Sequence, residues 1–261
     1  MEIGNLMINI EAIDIHCHFN HGAKNDSSGR GFLCPCDLEF LKKERKRLNV
    51  IKTGMCSFAS VLSADAIFEE NAYLAELAKE QDWVLQWVVI DPRQKRTLTQ
   101  ARELLKNKNV LGIKVHSHSA CHNYPFIEYA DEVFSFANEL NAVVMMHPDE
   151  NADAMYKTAM LTDKYPNMKL ILAHLGSIEH IEAISAPKLG NVYTDTSGSA
   201  SIQNNVLEYA VEKVGADKIL FGTDSYSCAF QLGRVVFADI SEEQKRKILN
   251  ENAQKLFGLE I

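Results

Sequence analysis

The chain has 261 residues, 46% of them hydrophobic, and a formal net charge of −8. That is enough apolar material for one large domain or two small ones, and the acidic balance without a basic stripe argues against nucleic acid as a partner. No stretch approaches the ~20 apolar residues of a membrane span, and Met1-Glu2-Ile3-Gly4-Asn5 has no leader pattern.

The six cysteines follow no framework spacing, and Cys34-Pro35-Cys36 is too tight for a zinc knuckle, so reduced thiols and a cytoplasmic location are expected.

In chain order, short β-rich runs alternate with helix-period segments. The predicted strands are Ala12–Phe19, Ile51–Phe58, Val84–Asp91, Val110–Ser117, Ala142–Pro148, Lys169–Gly176, Asn191–Gly198 and Lys218–Ser225. Several are continuous apolar runs, as in Val84-Leu85-Gln86-Trp87-Val88-Val89-Ile90, which suits strands buried on both faces. After the first strand, Lys42-Lys43-Glu44-Arg45-Lys46-Arg47 reads as the solvated face of a helix. The predicted helices that follow are Ser63–Gln81 with Ser63 as N-cap, Leu98–Lys106, Tyr129–Leu140, Glu150–Tyr165, Ser177–Ile184, Ser201–Val214 and Ser241–Phe257. Ser241-Glu242-Glu243-Gln244 offers the last one a capping box. Eight βα units without a linker predict an α/β fold, a (β/α)8 TIM barrel spanning 1–261 as one domain, with a doubly wound sheet as the alternative.

The first strand ends in Asp14-Ile15-His16-Cys17-His18. Residues two apart on a strand share a face, so His16 and His18 project together while Cys17 points away, an arrangement that can grip one divalent metal. Three later strand-like runs also end in ligand-type residues, His147, His174 and Asp224, and a closed barrel would bring all five to one mouth. His147 reads as a third ligand or as a histidine bound to a backbone carbonyl. Asp224 ends an apolar run and needs a cationic partner such as a metal, or else caps a short helix. His174 reads as a ligand, a partner of a metal-bound water or a group that polarises a carbonyl.

Lys114 and His116 share a face of the fourth strand. A carboxylated Lys114 could bridge two metals, and a plain one could bind a substrate carboxylate, as could Arg30 or Arg93. Asp195 would hold a ligand histidine or the substrate, while His21, His118 and His122 lie in loops as outer contacts. The chain has no Gly-x-Gly-x-x-Gly after a strand and no phosphate loop, and Cys17 is a poor nucleophile candidate.

Taken together, Asp14-Ile15-His16-Cys17-His18, Gly112-Ile113-Lys114-Val115-His116, Met146-His147-Pro148, Leu172-Ala173-His174-Leu175-Gly176, Phe221-Gly222-Thr223-Asp224 and the tail from Ile248 to Ala253 resemble the amidohydrolase superfamily. The likeness is greatest to its amidohydrolase-related branch, which includes aminocarboxymuconate-semialdehyde decarboxylase, aromatic-acid decarboxylases and pyrone-dicarboxylate lactonase. The resemblance implies that His16, His18, His147 and Asp224 hold one divalent metal, usually zinc, with manganese and a second metal open, and that His174 is a catalytic residue. It also implies a homo-oligomer. The chain is short for the decarboxylase members, and its first loop, with Lys24 and Arg30, lacks a clear match to the family's substrate-binding arginine.

The expected chemistry is metal-assisted hydrolysis of a small ester, lactone or amide, with His174 and Asp224 moving the proton and Lys114, His116, Arg30 and Asp195 binding the substrate. Non-oxidative decarboxylation of a small carboxylic acid is the alternative at the same site. A metabolite-binding barrel without turnover is the alternative of another class.

Overall fold

In the computed structural model, which describes residues 11–20, 36–118, 121–148, 151–198, 200–225 and 227–260, eight parallel strands follow one another in sequence order. They are β1 (Ala12–Phe19), β2 (Val50–Ser57), β3 (Val84–Val89), β4 (Val110–Val115), β5 (Val143–Met146), β6 (Lys169–Leu172), β7 (Val192–Asp195) and β8 (Ile219–Leu220). The ring closes through backbone bonds between its two ends: Ile15 N–H donates to Phe221 O at 2.9 Å, and the N–H groups of Thr223 and Asp224 both donate to His16 O at 3.0 and 2.7 Å. Sequential order with closure makes a (β/α)8 barrel; a doubly wound sheet would need a reversed strand order.

The helices are α1 (Leu38–Arg47), α2 (Phe58–Leu62), α3 (Ile67–Glu80), α4 (Lys95–Leu104), α5 (Ala130–Glu139), α6 (Ala152–Leu161), α7 (Ile178–Ser185), α8 (Val206–Val214) and α9 (Cys228–Val236). A closing segment adds α10 (Glu242–Arg246), a π turn (Lys247–Glu251) and α11 (Asn252–Phe257). None is long and apolar enough to cross a membrane.

Strand side chains face alternately inward and outward, which explains the continuous apolar runs. Ile13, Ile15, Leu85, Trp87, Met145, Ile171 and Leu220 fill the barrel interior. Val88, Ile113, Val144 and Leu170 face out and pack on Phe134, Ala137 and Met155 of the helices. Trp87 donates its indole N–H to Ile15 O at 2.6 Å and meets Phe257 edge-on, so the closing segment seals one end of the interior.

Two expectations need correction. The strands are shorter than the apolar runs: β6 stops at Leu172 rather than Gly176, and β8 at Leu220 rather than Ser225. Past those points His174, Asp224 and Ser225 take left-handed φ angles of 65°, 55° and 60°, which end the extended backbone although the apolar pattern continues. Ser63 is not an N-cap. Ser57 caps α2 by accepting from Ser60 N–H, Ser63 closes that helix, and α3 starts behind Ala66 with no side-chain cap. The capping box of Ser241 and Gln244 is formed.

Candidate metal centre

A bulge in β1 builds the first part of the mouth. The register with β2 slips between Asp14 and Cys17, so that β1 carries an extra residue there. Ile13 and Ile15 face the interior and Cys17 the outer layer, and the slip lets His16 and His18 point inward as well. Gly54 lies opposite the bulge; a Cβ there would come within 2.9 Å of Ile15 O, so the close approach needs glycine.

His174 reaches the mouth by a different route. Its neighbour Ala173 packs inside and Leu175 outside, so simple alternation would not aim His174 inward. The left-handed φ turns the ring in, at a cost of about 1–2 kcal/mol for a residue with a Cβ. Such strain is characteristic of functional sites.

Three donor atoms converge between β1 and the segment after β8. Asp224 Oδ1 stands 3.1 Å from His18 Nε2 and 3.6 Å from His16 Nε2. Ligands about 2.1 Å from a tetrahedral zinc-like ion stand about 3.4 Å apart, so this donor set fits a divalent metal in both spacing and chemistry. His16 and His18 are buried, while Asp224 keeps 19% of its side-chain surface, leaving the seat open on the mouth side.

Each histidine has a partner on its other ring nitrogen, as metal-binding imidazoles commonly do. His16 Nδ1–H donates to Asp195 Oδ2 at 2.9 Å. His18 Nδ1 meets Cys56 Sγ at 3.3 Å, a contact set by the direct β1–β2 pairing of these two residues, and Phe58 stacks on the His18 ring. The backbone is fastened too. Ser225 Oγ accepts from His18 N–H and donates to His18 O, and Asp14 takes the N–H of His16 and the hydroxyl of Thr223.

Burial lowers His16 to about 4, helped by the Lys114 charge. Burial would raise the Asp224 and Asp195 carboxyls, but hydrogen bonds and histidine charges outweigh it and hold both well below the usual range.

The remaining predicted residues divide. Lys114 is fully buried, with its Nζ 2.8 Å from His16 Nε2, and burial lowers its pKa. It therefore sits beside the metal seat. His147 does not join the His16–His18–Asp224 group, whose ligand atoms lie within 4.8 Å of one another; its Nδ1 faces His174 Nε2 at 3.1 Å. Burial, then the His174 charge, lowers it to about 2. The rings of His116 and His118 lie 4.6 and 5.1 Å from that of His147.

Asp195 is fully buried and engaged with His16 and Ser197, so it presents no surface to a substrate. Arg93 is forked onto Asp91 and lies over the Tyr124 ring, which neutralises it as an anion receptor. His122 bonds Ser60 O away from the metal seat. His21, Lys24, Arg30 and Cys34 lie outside the described residues.

Sequence reasoning passed over Cys56 and Ser225, and it read Ser197 only as part of a Ser197-Gly198-Ser199 turn that could form a small anion nest, whereas the buried hydroxyl touches His16, His174 and Asp195. The one signal available was the polar run Thr194-Asp195-Thr196-Ser197 closing an otherwise apolar strand, since buried polar groups need partners.

A family model described as amidohydrolase matches residues 13–259. Among curated proteins, gamma-resorcylate decarboxylase of Polaromonas sp. (strain JS666 / ATCC BAA-500) is 35% identical over 122 residues, a match covering 38% of this chain and only 37% of that protein's length. Similar solved structures include a dihydroxybenzoic acid decarboxylase from Polaromonas sp. JS666 with bound manganese and 2-nitroresorcinol. Its TM-score is 0.74 at 19% identity, covering 96% of this chain and 97% of that one. A 5-carboxyvanillate decarboxylase from Novosphingobium aromaticivorans, complexed with manganese, has a TM-score of 0.76 at 14% identity, covering 96% and 97%. At those identities the structures carry the fold alone.

Proposed function

The chain belongs to the amidohydrolase family, and on that premise we propose that it is a divalent-metal-dependent decarboxylase of a small aromatic or unsaturated carboxylic acid. The observation that carries this reading is the 35% identity to gamma-resorcylate decarboxylase, joined to a donor set that fits the metal such chemistry uses. Hydrolysis, the reaction expected first from the sequence, is less well supported than decarboxylation, the reaction named for the relatives described above.

In this proposal His16, His18 and Asp224 hold the ion, with His147 the candidate fourth donor. Zinc and manganese both suit imidazole and carboxylate ligands, and the manganese of the similar structures favours manganese. A divalent ion held by these residues would supply Lewis acidity that favours the negative charge developing in the reaction.

The protein's own residues do the rest. Lys114 adds a buried positive charge beside the seat, favouring an anionic substrate. His116 lines the mouth, where its Nδ1 is buried without a hydrogen-bond partner among the described residues and can bind a substrate oxygen. The bond from the ring carbon to the carboxylate carbon breaks, its electron pair stays on the ring carbon, and carbon dioxide leaves. His174 takes up a proton at Nε2 and delivers it to that carbon, so each turnover consumes one proton from solvent.

Manganese- and zinc-loaded protein should be assayed with 2,6-dihydroxybenzoate and 5-carboxyvanillate for carbon dioxide release, and with simple lactones and esters for hydrolysis. Carbon dioxide release that is abolished by His174→Ala supports the reading. Hydrolysis without carbon dioxide, or turnover untouched by His174→Ala, would sink it.

A further inference from the structure

The Ser197 hydroxyl lies fully buried among three groups of the site. It stands 2.9 Å from His174 Nδ1 and 3.0 Å from His16 Nδ1, and it bonds Asp195 Oδ1. A hydroxyl has one hydrogen to give and lone pairs with which to accept. Asp195 Oδ1, as a carboxylate oxygen, can only accept, so the Ser197 hydrogen goes there. His16 Nδ1 already directs its own hydrogen to Asp195 Oδ2. By elimination, Ser197 Oγ accepts from His174, and His174 Nδ1 carries the hydrogen.

We infer that Ser197 is a positioning residue that holds neutral His174 as its Nδ1–H tautomer and keeps the Nε2 lone pair turned towards His147 and the mouth. The inference rests on the reading above, in which His174 handles the proton at Nε2. An imidazole in the opposite tautomer would present an N–H there and could accept nothing. One carboxylate, Asp195, thus sets two histidines, His16 directly and His174 through the serine.

The surroundings are shaped for this contact. Gly198 has a φ of 78°, and a Cβ there would lie 2.6 Å from His174 Nδ1, so a side chain would push the ring off Ser197. The Gly198 carbonyl is pinned in turn by the Gln231 amide and the Ser201 hydroxyl, each donating at 2.9 Å from a buried side chain. The same geometry distinguishes the two candidate ligand groups. His16, His174 and Asp195 also bring ligand atoms within 4.8 Å of one another, but all three converge on one hydroxyl. They form a hydrogen-bond hub, while the Nε2 edge of His16 faces the metal seat.

The test is tautomer measurement by long-range 1H–15N NMR on 15N-histidine-labelled, zinc-treated protein, with the His174 signals assigned by their loss in His174→Gln. Wild type should show a protonated-type Nδ1 and a lone-pair-type Nε2. Ser197→Ala should shift both signals towards a mixture of tautomers, and Ser197→Thr should restore the wild-type pattern. The opposite tautomer in wild type overturns the inference, whether or not Ser197→Ala folds. An unchanged pattern in a folded Ser197→Ala overturns it as well. Metal content and carbon dioxide release, measured on the same samples, report on the proposed function separately: protein without either can still show or lack the Nδ1–H pattern.

Discussion

The β1–β8 side of the mouth and its β4–β5 side are held in different ways. On the first, His16 leans on Asp195, His18 on Cys56, and the backbones of both are fastened by Asp14 and Ser225. On the second, the rings of His116 and His118 lie against His147 and against each other, and His116 Nδ1 is buried with no hydrogen-bond partner among the described residues. A side whose donors are oriented in advance is built for a resident ion. A side with unmet hydrogen-bonding capacity is built for a visitor that brings its own partners.

The sharpest way to break this contrast is to remove a donor from the first side. Asp224→Ala should take metal content from about one ion per chain to near zero, since it removes the carboxylate from the His16–His18–Asp224 group and with it the negative charge that offsets the ion. Elemental analysis of protein purified without chelators reads this, and retained metal would move the seat elsewhere. Asp195→Ala should cost less, about 10–100-fold in metal affinity, because it leaves the ligands and removes only what orients them. Competition with a chromophoric chelator measures that, and an unchanged affinity would mean that His16 needs no orienting carboxylate.

On the second side, His116→Ala should leave metal affinity within about twofold, the scale of an uncoupled change, while raising KM for a carboxylate substrate about tenfold through one lost hydrogen bond. A loss of metal in this variant would erase the distinction between the sides.

The smallest effect serves as a control far from the mouth. Arg234 forks onto Glu208, which also accepts from Asp239 N–H, and this holds the carboxyl down at about 2. A carboxyl lowered on folding stabilises above its unfolded pKa and loses that contribution as pH falls towards its folded one. Glu208→Gln should therefore destabilise by about 1 kcal/mol at pH 7 and by progressively less from about pH 4 to pH 2, with metal content unchanged. Thermal denaturation of both proteins across that pH range checks it.

The barrel was legible because doubly buried strands announce themselves as unbroken apolar runs, such as Val84–Val89, and because polar caps such as Ser241 mark helix starts locally. The ligand-type residues were legible for a related reason: His16, His147 and Asp224 interrupt or end those runs. What stayed hidden depends on the backbone's third dimension. The bulge at Ile15–His16 and the left-handed turn at His174 leave no periodic trace. Nor could Ser197 be assigned: Asp195 is two residues away, but His174 follows β6 and His16 comes from β1, which meets it only when the ring closes. The strand ends were overrun because Ala173 and Phe221 are apolar for packing reasons, beyond the point where the ladder stops.

The closing bonds from Phe221, Thr223 and Asp224 to Ile15 and His16 join positions some two hundred residues apart along the chain. Contacts of such sequence separation are the slowest to form, because the intervening loop must be ordered before they reward it. During synthesis His16 and His18 leave the ribosome early and must wait for almost the whole barrel before their carboxylate partner arrives. The metal seat is therefore a late product of folding: an ion that binds there reports a finished barrel and helps to lock it shut.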